Sequence, residues 1–128
     1  MKGKILIIDD DNRNTFALTA VLKSKKFEVV SASSAAEGIS MLKNDRGIKI
    51  VLLDMMMPEM DGYETLTVIK KQEGITDVPV IAVTAQAMTG DREKCLAAGA
   101  DGYISKPINT DQLLNILKGF NGNDDDQG

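Results

Sequence analysis

Carboxylates, a hydroxyl and an ammonium group stand at the ends of four short strand-like runs in this sequence. Asp9 and Asp10 follow the first run, Asp54 the second, Thr84 the third and Lys106 the fourth. Carboxylate oxygens bind hard divalent cations, and a carboxylate can also attack phosphorus. Hydroxyl and ammonium groups can hydrogen-bond phosphoryl oxygens. The residue types therefore predict a site for a divalent metal ion and a phosphoryl group, provided that the fold brings the four runs together.

The elements that must position these side chains alternate between strand and helix along the chain. The predicted strands are residues 4–8, 27–32, 49–53, 78–84 and 101–105, and the predicted helices are residues 13–25, 34–44, 63–72, 88–98 and 109–118. This alternation predicts right-handed crossovers and an α/β fold with a doubly wound, five-stranded parallel sheet. The carboxyl ends of the strands in such a sheet form its ligand crevice. All four polar positions fall at that edge.

The domain is expected to occupy residues 1–119. Residues 120–128 have no apolar periodicity and predict a disordered acidic tail. In the first helix, we expect Phe16, Leu18, Val21 and Leu22 to face the core.

Composition excludes several classes of function. The 128 residues carry a net charge of −4, and no basic stripe interleaved with aromatic residues favours nucleic-acid binding. No apolar run approaches the roughly 20 residues of a membrane span. The chain has no histidine and a single cysteine, so histidine-based catalysis, the usual zinc sites and an internal disulfide are not expected. We expect a cytoplasmic protein that binds neither nucleic acid nor membrane.

The clustered carboxylates predict a cation. Two carboxylates about 4–5 Å apart repel by about 3–4 kcal/mol at an effective dielectric constant near 20. Either some of them are protonated or a cation holds them together. Hard oxygen ligands suit Mg²⁺, which binds few protein carboxylates and keeps water positions open for a phosphate. A solvated turn that caps a helix is the alternative for residues 9–11.

The chain resembles the receiver domains of bacterial two-component response regulators over residues 3–119. The matching motifs are Asp9-Asp10, Asp54, residues 57–62, Thr84-Ala85 and Lys106-Pro107. The spacings between these motifs also match the family. The resemblance implies the flavodoxin-like strand order 2-1-3-4-5.

The resemblance also implies the roles of the acidic residues. Asp54 would be the phosphoacceptor, taking a phosphoryl group from a histidine kinase or a histidine phosphotransfer protein. Asp9 and Asp10 would hold Mg²⁺ together with Asp54 and the backbone carbonyl of Met56. Such a domain is not an enzyme, because it catalyses only its own phosphorylation and dephosphorylation.

A conformational switch is implied as well. Lys106 would contact the phosphoryl group, Thr84 would move to hydrogen-bond it, and Tyr103 would turn inward. The Lys106-Pro107 peptide bond is cis in such folds. The altered surface would control a downstream protein target, and the chain would be a monomer or a weak dimer.

Three other interpretations remain open. Residues 10–14 and 85–95 resemble receivers attached to hybrid histidine kinases, which would relay the phosphoryl group to a histidine phosphotransfer protein. A haloacid-dehalogenase-type phosphohydrolase also uses an aspartate nucleophile, but it usually carries a second aspartate at the position of Met56. A small flavin-binding protein shares the architecture, although three adjacent aspartates would repel a flavin phosphate.

The phosphorylated state is expected to be long-lived. Met56, two residues after the acceptor, cannot orient an attacking water, and Gln86 could do so only weakly.

Overall fold

The computed structural model describes residues 3–57, 62–85 and 90–127. The strands are β1 (Lys4–Ile8), β2 (Glu28–Ala32), β3 (Ile48–Asp54), β4 (Val80–Thr84) and β5 (Gly102–Ser105). The helices are α1 (Asn12–Ser24), α2 (Ala35–Asn44), α3 (Gly62–Lys71), α4 (Asp91–Ala97) and α5 (Thr110–Gln127). None of these helices combines the length and the hydropathy that a bilayer crossing requires.

The five strands form one parallel sheet in the order β2-β1-β3-β4-β5. This confirms the predicted fold class and strand order. Strands β1 and β3 pair at the centre, so the strands that end before Asp9 and at Asp54 are neighbours. Asp54 is in register with Val83, and Thr84 with Ser105. The register therefore brings the ends of β1, β3, β4 and β5 to one edge of the sheet.

Alternating side chains of the strands build two cores, one on each face of the sheet. The first face packs on α2, α3 and α4 through Leu6, Ile8, Val51, Leu53, Val80, Ala82, Leu42, Leu66, Ile69 and Cys95. The second face packs on α1 and α5 through Ile5, Ile7, Ile50, Leu52, Ile81, Val83, Leu18, Leu22, Leu113 and Leu117. Because both faces are covered, the central strands are apolar almost throughout, as parallel strands usually are.

The prediction that Phe16 faces the core is wrong. Its side chain is 77% exposed, whereas Leu18 and Leu22 are buried and Val21 is partly buried. Two residues along an α-helix correspond to a rotation of about 200°. Phe16 therefore lies on the face opposite Leu18, and the inward stripe of α1 follows residues four apart.

The last helix extends beyond its expected end. Helix α5 runs to Gln127, although the sequence predicts an end at residue 118 and a disordered tail over residues 120–128. Gly119 directly follows the predicted end, but it is not among the glycines with positive φ. Without a left-handed residue or a proline at this point, the backbone continues as a helix. The boundary of the domain at residue 119 stays a prediction.

One glycine permits a close approach near the site. A Cβ atom on Gly62, the first residue of α3, would lie 2.5 Å from the Met55 Cα atom. Helix α3 therefore begins against the residue that follows Asp54. Away from the site, Gly99 lies two residues after the end of α4 and adopts the left-handed conformation with a φ of 113°, in which glycine commonly follows a helix.

Candidate functional site

Three carboxylates meet beyond the central strands. Asp9 and Asp10 follow β1, and Asp54 ends β3. Ligand oxygens of the three residues all lie within 4.8 Å of one another. Asp9 is 3% exposed and Asp54 is 5% exposed, whereas Asp10 is open to solvent. The predicted acidic cluster is therefore present, with two of its carboxylates on buried positions.

Both carboxylate oxygens of Asp9 accept hydrogen bonds from the start of α1. The backbone N–H of Asp11 donates to Oδ1 at 2.8 Å, and the side-chain amide of Asn14 donates to Oδ2 at 2.6 Å. Asp11 also caps α1, because its carboxylate accepts from the backbone N–H groups of Arg13 and Asn14. The loop after β1 thus holds the buried carboxylate in one orientation while it starts the helix.

Opposing influences act on the pKa of Asp54. Burial raises the pKa of Asp54 above its usual value of 3.8, and the nearby charge of Asp9 acts in the same direction. The backbone N–H of Met56, which donates to Asp54 Oδ1 at 3.0 Å, and the charge of Lys106 oppose this rise in pKa. The net direction is upward, so an additional positive charge at the site would stabilise the ionised carboxylate.

Lys106 supplies the ammonium group of the site. Its Nζ atom lies 3.6 Å from Asp9 Oδ2 and 3.6 Å from Asp54 Oδ2. Its backbone N–H donates to the carbonyl of Thr84 at 2.7 Å, which ties the end of β5 to the end of β4. The Lys106-Pro107 peptide bond is cis, as the family resemblance implies.

The hydroxyl of Thr84 completes the set. Thr84 is 3% exposed, and its Oγ1 donates to the hydroxyl of Tyr103 at 3.2 Å. Tyr103 lies on the edge strand β5 and is partly buried. The two residues expected to switch are therefore in direct contact.

The donor set fits a hard dication. Three carboxylates face one ammonium group, so negative charge remains uncompensated among these side chains. All the ligand atoms that the cluster offers are oxygens, which Mg²⁺ prefers and soft metals do not. The side chain of Met56 is 64% exposed, and the role of its backbone carbonyl stays a prediction.

The sequence predicts the right set of charged side chains but gives Asn14 no chemical role. A signal for it is present, because Asn14, Leu18 and Leu22 are spaced four apart and share one face of α1. The motif residues 58–61, and Gln86, lie outside the described residues.

Comparison with known proteins identifies relatives across almost the whole chain. Residues 5–118 match the family model described as the response regulator receiver domain. Hybrid signal transduction histidine kinase L of Dictyostelium discoideum is 35% identical over 128 residues, which cover 94% of this chain but only 8% of the kinase. The polar-differentiation response regulator DivK of Brucella ovis is 30% identical over 122 residues, covering 95% of this chain and 98% of DivK.

A solved structure shows the same architecture. The receiver domain of the sensor histidine kinase PA1611 from Pseudomonas aeruginosa PAO1 is 33% identical and superposes with a TM-score of 0.85. The match covers 95% of this chain and 99% of that domain. That domain was crystallised with a magnesium ion coordinated in its active site cleft.

Proposed function

Since the chain belongs to the family of response regulator receiver domains of two-component signalling, we propose that Asp54 is its phosphoacceptor. Receiver domains of this family are phosphoacceptors rather than enzymes acting on a separate substrate. The observation that carries the assignment is the position of Asp54, which is buried at the end of β3 with two carboxylates and one ammonium group around it. A surface aspartate without these neighbours would have no reason to react with phosphorus.

The transfer requires a donor whose leaving group departs easily, such as a phosphohistidine. A carboxylate oxygen of Asp54 attacks phosphorus, the phosphorus–nitrogen bond of the donor breaks, and the donor imidazole retains the bonding electrons and takes up a proton. Mg²⁺ held by Asp9, Asp10, Asp54 and the backbone carbonyl of Met56 would supply positive charge to the phosphoryl oxygens. The chain's own residues orient the acceptor, because the Met56 N–H fixes one Asp54 oxygen.

Lys106 and Thr84 are proposed to bind the transferred group. Lys106 is placed beside Asp54 Oδ2, so its ammonium group can follow the added negative charge. The Thr84 hydroxyl donates to Tyr103 before transfer. A phosphoryl oxygen is a stronger acceptor than a phenol, so the hydroxyl would turn toward it and release Tyr103 to rotate inward. That rotation would change the surface around β5, which a downstream protein target would read.

Two biological settings fit this chemistry. In the first, the chain works as a stand-alone regulator, as the match to nearly the full length of DivK supports. In the second, it is the receiver of a hybrid histidine kinase and relays the phosphoryl group to a histidine phosphotransfer protein. The identity to the Dictyostelium hybrid kinase and to the PA1611 receiver supports this second setting. Transfer from the phosphorylated chain to a purified histidine phosphotransfer protein would favour the relay.

The lifetime of the phosphorylated state is proposed to be long. Met56, two residues after Asp54, has a mostly exposed side chain, and its thioether can neither donate a proton to a water nor accept one from it effectively. Replacing it by asparagine should change the rate of autodephosphorylation, measured as loss of the mass adduct after removal of the donor. An unchanged rate would contradict this role.

The direct test uses acetyl phosphate with Mg²⁺ and intact-protein mass spectrometry. Wild-type protein should gain one phosphoryl group, and fragmentation should place it on residue 54. Asp54→Asn should gain none. Asp45→Asn, which removes an aspartate that pairs with Lys4 away from the acidic cluster, should be labelled like wild type. Labelling of Asp54→Asn at the wild-type level, or labelling of wild type at another residue, would refute the assignment.

A further inference from the structure

Asn14 is a polar residue on the inward stripe of α1. It lies four and eight residues before the buried Leu18 and Leu22, so its side chain points along the same face. Its amide nitrogen is 2.6 Å from Asp9 Oδ2. The proposed metal binding and phosphoryl transfer do not use Asn14, although it contacts a proposed metal ligand directly.

The ammonium group of Lys106 lies near this same Asp9 oxygen and equally near an oxygen of Asp54. The distances from Lys106 Nζ to Asp9 Oδ2 and to Asp54 Oδ2 are both 3.6 Å. A charge-assisted hydrogen bond between ammonium and carboxylate is about 2.7–2.9 Å long. The ammonium group therefore forms a long ion pair with each oxygen and a hydrogen bond with neither, whereas the Asn14 amide makes a short hydrogen bond.

Lys106 has room to move from this position. Asn14 and Lys106 both line a cavity of about 240 Å³ between α1 and α5, and Leu113 also lines it. The ammonium group lies midway between the two carboxylates because both attract it, and open space beside the side chain would let it move toward either one. Asp9 already accepts hydrogen bonds from two other donors, which reduces its need for the ammonium group.

We propose that Asn14 is a positioning residue that satisfies Asp9 Oδ2 and thereby keeps Lys106 available to the phosphoryl group on Asp54. This inference rests on the proposed function. A buried carboxylate oxygen without a donor is costly, so loss of the amide would draw the Lys106 ammonium onto Asp9. Because an amide carries no charge, it satisfies the oxygen without cancelling the negative charge that a dication needs.

The kinetic test compares Asn14→Leu, which keeps the number and branching of the side-chain heavy atoms but has no donor, with Asn12→Leu. Asn12 is the exposed first residue of α1 and serves as the matched control. Loss of a hydrogen bond to a charged group typically costs about tenfold or more, so the maximal labelling rate of Asn14→Leu at saturating Mg²⁺ should fall by about tenfold as Lys106 leaves the phosphoryl group. The half-saturating acetyl phosphate concentration and the Asn12→Leu rate should stay near wild type.

The coupling to Lys106 is tested in a double-mutant cycle. In a Lys106→Met background, Asn14→Leu should cause no further loss of rate, because the ammonium group it protects is gone. An equal loss in both backgrounds would show that Asn14 acts on Asp9 or the metal alone and would overturn the proposal. So would a wild-type rate in Asn14→Leu.

A crystal structure of Asn14→Leu gives a readout that does not depend on phosphorylation. The distance from Lys106 Nζ to Asp9 Oδ2 should shorten from 3.6 Å to about 2.8 Å. An unchanged distance would overturn the positioning role even if wild type is labelled on Asp54. If wild type is not labelled at all, the proposed function fails, while the distance still decides the role of Asn14. Should Asn14→Leu fail to fold, Asn14→Ala takes its place in both measurements.

Discussion

Addition of Mg²⁺ should stabilise the folded protein through the acidic cluster. At 4.8 Å, two carboxylate charges repel by about 3–4 kcal/mol at an effective dielectric constant near 20. Asp9, Asp10 and Asp54 form three such pairs, and Lys106 provides one opposing charge 3.6 Å from two of them. Negative charge therefore remains in excess, and a dication that binds only the folded chain relieves it.

The size of the effect follows from mass action. At a Mg²⁺ concentration ten times the dissociation constant, the free energy of unfolding rises by about 1.4 kcal/mol. For a domain of this length, that corresponds to an increase in melting temperature of about 5 °C. The assay is thermal unfolding followed by circular dichroism, with NaCl used to hold the ionic strength constant.

The variants separate coordination from general charge screening. Asp10→Asn and Asp54→Asn should lose most of the Mg²⁺-induced shift. Asp11→Asn removes a carboxylate from the same loop but keeps a good helix N-cap, because asparagine caps about as well as aspartate. It should keep the shift. If Asp11→Asn loses as much of the shift as Asp10→Asn, Mg²⁺ acts by screening the negative charge of the loop, and its coordination by Asp9, Asp10 and Asp54 is refuted.

Three further perturbations test the site and the packing around it. Without Mg²⁺ at pH 7, Asp54→Asn should have a larger free energy of unfolding in urea than wild type. The folded-state pKa of Asp54 is raised above 3.8, so the stability that its protonated carboxyl contributes is present below pH 3.8 and is lost as the pH rises through the raised pKa. The advantage of Asp54→Asn should therefore shrink toward pH 4, and an advantage that does not shrink would contradict this reasoning. Gly62→Ala should lower the free energy of unfolding by about 1–3 kcal/mol, because its Cβ atom would clash with the Met55 backbone. Gly119→Ala, which has open space around its Cβ position, should raise the free energy of unfolding by about 0.5–1 kcal/mol in chemical denaturation. Equal effects of the two substitutions would count against the close approach of α3 to Met55. Leu22→Ala should lower the free energy of unfolding by about 2–5 kcal/mol because Leu22 is buried, whereas Phe16→Ala should lower it by less than about 0.5 kcal/mol because Phe16 is exposed. A large loss of stability in Phe16→Ala would show that Phe16 is buried.

The site is predictable from the sequence because its chemistry sits at strand ends. Asp54, Thr84 and Lys106 each stand at the end of a strand-like run, and in a parallel sheet those positions converge. The strand order then only has to place β1 beside β3, which the family resemblance implies. The hydrogen bond from Asn14 is not predictable in the same way, since it depends on how α1 rotates over the sheet.

The two wrong predictions have a common physical origin in helix geometry. The apolar type of Phe16 favours the core, although the spacing from Leu18 places it on the opposite face. The sequence also predicts an end of α5 at residue 118, but Gly119 lacks the left-handed backbone with which glycine commonly ends a helix. In both cases, backbone geometry decides the outcome, and composition does not.

The order of strands places the acidic residues at interior strands and the proposed switch residue Tyr103 on an edge strand. The carboxylates stand on β1 and β3, which have neighbours on both sides, whereas Tyr103 stands on β5, a four-residue strand at the margin. Marginal strands open at lower free energy than interior ones, and native-state hydrogen exchange reports such opening. Fraying of β5 would disturb both Tyr103 and Lys106, which directly follows this strand, while the acidic residues on the interior strands stay in place. A variant weakened at β5 would then be expected to keep its acidic metal-binding cluster and to lose the proposed switch.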